Sequence, residues 1–185
     1  MNDFKALYQD TWAKAARDTQ ETIELIQSWF PWIKWRPGKG ALDEGPTDAE
    51  HPRAEPDIIL LYDGEPILGV EVTGSDKMTW PCTVWIGKHK ADFARACGYP
   101  VVYALYYNGQ EAKRVISNLM VLHYAPYAVA KKPRGVTEYY HEVLPHFTQP
   151  LNLLKPYVEG ALECAERDYR FREELDLLLF SGSGY

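Results

Sequence analysis

The sequence predicts an α/β fold, with a mixed central sheet of four or five strands flanked by helices and a helical extension at the C-terminus. Three observations carry this. Apolar residues recur at helical spacing through residues 3–30. Three apolar stretches at 57–62, 66–73 and 100–107 read as strands, the first two joined by the turn Asp63-Gly64-Glu65. Between the second and third lies Lys88–Cys97, which has a helical pattern and stops at Gly98. Helix, hairpin, helix and strand in that order build a sheet whose faces are covered by helices.

The first helix is read from Phe4, Leu7, Tyr8, Trp12 and Ala15, continued by Ile23, Ile26 and Phe30, and Pro31 ends it. Asp18-Thr19-Gln20-Glu21 has the spacing of a capping box, so a second helix could start there. Trp32–Trp35 is a plausible first strand. Residues 36–56 hold four prolines, three glycines and many charges, which predicts a long loop. After the hairpin, Gly74–Pro81 is rich in turn formers and reads as a connection. Leu119–Tyr124 reads as a further strand, and residues 157–180 as a helix. The tail Ser-Gly-Ser-Gly-Tyr reads as frayed.

The 185 residues fit one domain, with a core over roughly 20–125 and the helical extension over roughly 135–185. Hydrophobic residues at 46% and charged residues at 25% exclude a disordered chain. The longest apolar runs are too short to cross a bilayer, and the N-terminus lacks a signal-peptide core. An intracellular protein without membrane association is the expectation. Cys82, Cys97 and Cys164 are far apart, and the five histidines are scattered, so neither a disulfide framework nor a zinc site is suggested. The net charge of −6 argues against a large nucleic-acid surface, although carboxylates gathered at a cation site contribute to it. Lys113-Arg114 and Lys131-Lys132-Pro133-Arg134 are the two small basic groups.

Asp57 and Glu71 sit on the two arms of the hairpin. If Asp63-Gly64-Glu65 is a three-residue loop, Tyr62 faces Pro66 and, counting back, Asp57 faces Glu71. A two-residue loop would shift the register by one and put the carboxylates on opposite faces. Side by side, two carboxylates repel unless a cation lies between them. Oxygen ligands without nearby Cys or His point to magnesium or manganese. Asp57 could equally mark a strand start. Glu71, between Val70 and Val72 in an apolar strand, fits that plain role poorly.

Glu55-Pro56-Asp57, then thirteen residues, then Glu71-Val72-Thr73 resembles the motif of the PD-(D/E)XK nucleases. Trp85–Leu105 is similar to the helix and strand that follow it there, and the likeness is nearest to archaeal Holliday-junction resolvases. It covers about residues 20–107. The resemblance implies a restriction-endonuclease-like fold and magnesium- or manganese-dependent hydrolysis of DNA phosphodiesters, in which selection of DNA structure is one possible form. It also implies Asp57, Glu71 and the backbone carbonyl of Val72 as metal ligands. Resolvase-like members are commonly dimers, and six Trp and thirteen Tyr are compatible with a homodimer.

The resemblance calls for a lysine at position 73, where this chain has Thr73. The next helix offers Lys88 and Lys90. At about 100° per residue, Lys90 projects with Phe93, Ala94 and Cys97 on the apolar side, and Lys88 with Asp92 and Arg95 on the polar side. This favours Lys90 as the catalytic lysine, although Gly87-Lys88 matches a Gly-Lys step of the resolvase-like pattern. The resemblance also implies a metal-binding Glu on the first helix, for which Glu21 is preferred over Glu24. Thr73 and the acidic charge support a rival reading, a non-catalytic nuclease-fold protein that binds nucleic acid or assembles with partners.

Overall fold

The computed structural model describes residues 4–38, 55–132 and 137–181. The side chains of Phe4, Leu7, Tyr8 and Trp12, most of the 36–56 loop, the Pro133-Arg134 step and the tail lie outside the described residues.

Helix α1 runs unbroken over Phe4–Trp29. The candidate capping box inside it is not used as one. Asp18 instead pairs with Lys14 one turn earlier, and Thr22 Oγ1 donates to the Asp18 carbonyl at 2.8 Å. Both contacts are those of a helix interior. Strand β1 is Lys34–Pro37, two residues later than the sequence predicts. The hairpin follows as β2 (Ile58–Tyr62) and β3 (Glu65–Thr79). β3 continues into the segment expected to be a connection, because Gly74, Ser75 and Thr79 still pair with residues 106–108. A side chain at Gly74 would collide with the Tyr106 backbone, so glycine permits this close approach. Next come β4 (Val84–Gly87), α2 (Lys88–Ala96), β5 (Val101–Asn108) and β6 (Lys113–Ser117).

Leu119–Tyr124, expected as a strand, lies in α3 (Asn118–Tyr124), N-capped by the Ser117 hydroxyl accepting from the Met120 amide at 3.3 Å. A short apolar run does not separate strand from helix by pattern, and the cap decides it. The chain ends with β7 (Val129–Lys131), β8 (Glu138–Val143), β9 (Gln149–Pro150) and α4 (Leu154–Ser181). Pro156 sits in the first turn of α4, where its missing N–H costs nothing.

The main sheet has six strands in the order β1-β2-β3-β5-β6-β9, one or two more than expected. Among the described residues only β3 and β5 are parallel; β4 and α2 form the crossover between them. A smaller three-stranded sheet, β4-β8-β7, stands beside it. One face of the main sheet packs Ile58, Val70, Val72 and Ala104 against Ile23 and Ile26 of α1 and Leu154 and Val158 of α4. The other face packs Tyr103, Leu105 and Ile116 against Ile86, Ala91 of α2 and Val121 of α3. Period-two alternation puts Glu71 and Thr73 on this second face, toward α2.

Candidate active site

The turn between β2 and β3 has two residues, not three. Asp63 (φ 48°) and Gly64 (φ 85°) both take the left-handed conformation of a primed hairpin turn, and Tyr62 faces Glu65. Alone, this would place Asp57 and Glu71 on opposite faces. A β-bulge corrects it. Leu61 pairs with Pro66 and Leu60 with Leu68, so Ile67 is an extra residue, and the ladder then runs Ile59 to Gly69 and Ile58 to Val70. The next step of that register is Asp57 opposite Glu71.

Asp57 lies one residue before β2 and accepts a hydrogen bond from the Val72 amide at 2.7 Å. The N–H and C=O of one strand residue point to the same side, so the Val72 carbonyl opens toward Asp57, where β2 has ended. Burial raises the Asp57 pKa above the ordinary carboxylate value, and the Lys90 charge and the Val72 N–H offset only part of this. Glu71 is 2% exposed in the middle of β3.

Lys90 reaches this pair from the first turn of α2. Its ammonium donates to Glu71 Oε1, and its charge also acts on Asp57. Burial lowers its pKa, against the pull of Asp57. Lys88, two residues earlier, pairs with Asp92 on the exposed side of the helix. α2 is held in this phase by a buried chain in which Tyr103 donates to Asn118 Oδ1 at 2.8 Å and Asn118 donates to the Ala91 carbonyl at 3.3 Å. Sequence reading missed this support, because a Tyr and an Asn in separate elements give no local signal.

Glu21 is not brought to the pair. It forms an ion pair with Lys113 of β6, in the layer of α1 on the opposite face of the sheet. Among the described residues, no three His, Cys, Asp or Glu side chains gather in one place. A cation at this site would draw on two carboxylates, a backbone carbonyl, and oxygens of water or phosphate. That hard-oxygen donor set suits magnesium or manganese.

Beside Lys90 a cleft of about 180 Å³ is lined by residues of both sheets, Thr73, Trp85, Tyr103 and Tyr140 among them. The residue that stands where a lysine was expected thus lines the cleft. No helix among the described residues is long and apolar enough to cross a membrane.

The fold is a mixed α/β sheet flanked by helices, with the carboxylates on the hairpin and α2 on the crossover behind them. Among solved structures it is similar to a nuclease from a fusselovirus, at 20% identity over 60% of this chain and 71% of that one, with a TM-score of 0.46. It is also similar to Hjc, a Holliday junction resolvase from Archaeoglobus fulgidus, at 14% identity over 72% and 95% of the two chains, with a TM-score of 0.40. No family model and no curated protein matches the sequence. These likenesses concern the course of the backbone; the chemistry follows from the side chains.

Proposed function

We propose that the chain is a metal-dependent nuclease that hydrolyses DNA phosphodiester bonds. The observation that carries this reading is the meeting of Lys90 with Glu71 and Asp57, in which one partly buried ammonium pairs with Glu71 and acts on the Asp57 carboxylate. Asp57, Glu71 and the Val72 carbonyl are the residues that would hold magnesium or manganese. Such an ion supplies Lewis-acid chemistry, acidifying water and offsetting charge on the phosphate.

The chain's own residues do the rest. Lys90 carries a positive charge beside the reacting centre and can orient the attacking water or offset the developing oxyanion charge. Its origin on a helix makes Thr73 compatible with catalysis. Lys88 and Glu21 have other partners and take no part in this scheme. Burial around Asp57 favours a cation there, since an isolated desolvated carboxylate is costly.

The Lys90–Glu71 pair also supports a second reading, in which the ammonium takes the cation's place for good and the fold serves only to bind. Incubation with plasmid, linear and branched DNA, with and without magnesium or manganese, separates the two. Metal-dependent cutting that Glu71→Gln abolishes supports the nuclease. Metal-independent binding without any cutting supports the alternative.

A further inference from the structure

The small sheet turns one face to the core and the other to solvent. Val84, Ile86, His141 and Val143 are buried. By alternation Trp85, Gly87, Tyr140 and Val129 share the outer face, where Gly87 and Val129 each pair with Tyr140. Trp85 is 37% exposed and Val129 38%. The Trp85 and Tyr140 rings lie 5.8 Å apart, tilted by 44°. The His89 ring fills the space beside Gly87, opposite Tyr140, and the cleft continues inward to Thr73 and Lys90. Lys131 Nζ sits 5.3 Å from the Trp85 ring centre and 2.6 Å from Glu142.

We infer that this cleft receives an unpaired nucleobase of the DNA strand cut at Asp57 and Glu71, so that single-stranded or frayed DNA is the substrate in preference to continuous duplex. The inference rests on the nuclease reading. Four arguments support it. Aromatic walls offer stacking that tolerates any base, because every base has a π-face. Lys90 lines both the cleft and the carboxylate site, so a base here would neighbour the phosphate being cut. At about 180 Å³ the cleft is smaller than the roughly 300–1,000 Å³ of a drug-sized pocket, which suits one planar ring system. A base can enter only when unpaired and unstacked, which costs least in a single strand.

Charge points the same way. A duplex-tracking nuclease needs free Lys and Arg for phosphates. Here the net charge is −6, and among the described residues eight Lys and Arg side chains already sit in ion pairs. Stacking supplies affinity that backbone electrostatics cannot.

The test is fluorescence anisotropy on the full chain in calcium, with labelled oligothymidylate of about twelve nucleotides and a blunt duplex of equal length. The single strand should bind about ten-fold more tightly than the duplex. Trp85→Ala should weaken single-strand binding about ten-fold, and Trp85→Phe should restore most of it. Circular dichroism checks the fold, and Tyr140→Ala serves if Trp85→Ala unfolds. Tighter binding of duplex, or unchanged single-strand affinity in both alanine variants, overturns the inference. Tryptophan-dependent single-strand binding without any cutting in magnesium or manganese overturns the nuclease reading instead, and leaves the cleft as a strand-binding site.

Discussion

Lys90 of α2 donates its ammonium to the Glu71 carboxylate of β3, so the cation at the candidate site comes from a helix and not from strand position 73. If that ammonium supports the chemical step, Lys90→Ala should lower single-turnover cleavage ten-fold or more, about 1.4 kcal/mol of barrier. DNA affinity should change little. The variant should also lose stability, because Glu71 is left buried without its partner; the loss should fall below the ~3–5 kcal/mol of a fully buried pair, since the Lys90 side chain is 30% exposed. Lys88→Ala, which removes only an exposed pair with Asp92, should cut within about two-fold of wild type. A severe Lys88 variant beside a mild Lys90 variant would refute this assignment.

Asp57→Asn and Glu71→Gln keep shape and remove charge. Each should reduce metal-dependent cleavage to below about one-hundredth of wild type, the scale of losing a principal electrostatic contact. Circular dichroism should remain native. Cutting at the wild-type rate by either variant rejects the two-carboxylate mechanism.

The two half-buried charges make opposite predictions for stability against pH. The Asp57 pKa is raised above 3.8, so the folded chain holds that proton more tightly than the unfolded chain. Its contribution falls as pH rises from about the usual carboxylate value through the folded one. The Lys90 pKa is lowered below 10.5, so the folded chain releases that proton sooner, and its contribution rises with pH between the folded value and 10.5. Metal-free protein should therefore lose Tm as Asp57 ionises. Magnesium or manganese should restore it by binding the folded form. Asp57→Asn should flatten the acidic fall and abolish the metal response. A wild-type Tm indifferent to both ions at neutral pH would count against a metal site.

Much of this site is visible in sequence because it depends on local periodicity. Alternation in β3 puts Glu71 inside, and helical phase in α2 puts Lys90 on the inner side and Lys88 outside. What sequence could not provide depends on distant partners. The small sheet joins 84–87 to 138–143, and neither segment alone announces that pairing. Glu21 precedes Leu25 by one turn, on the apolar side of α1, yet phase does not say which face of the sheet a helix covers. The register of Asp57 with Glu71 was anticipated from a three-residue loop that does not exist. A two-residue turn and a one-residue bulge give the same alignment, and Pro66-Ile67-Leu68 carries no sequence mark of a bulge.

That bulge permits a direct test of the register. Ile67 is the residue skipped in the β2–β3 ladder, and the pairs on either side of it can persist without it. Deleting Ile67 should leave Tyr62 facing Glu65 and Leu60 facing Leu68, and so keep Asp57 opposite Glu71. The deletion has a cost, because Ile67 is 9% exposed within the main core and its loss should destabilise by roughly 2–5 kcal/mol. The expected result is a lower Tm with the metal-induced rise in Tm retained. If Ile67 instead sets the alignment in some other way, its removal lets β3 slip by one residue, turns Glu71 to the α1 face and breaks its pair with Lys90. A folded deletion variant that no longer responds to magnesium or manganese, while wild type does, would show that slip.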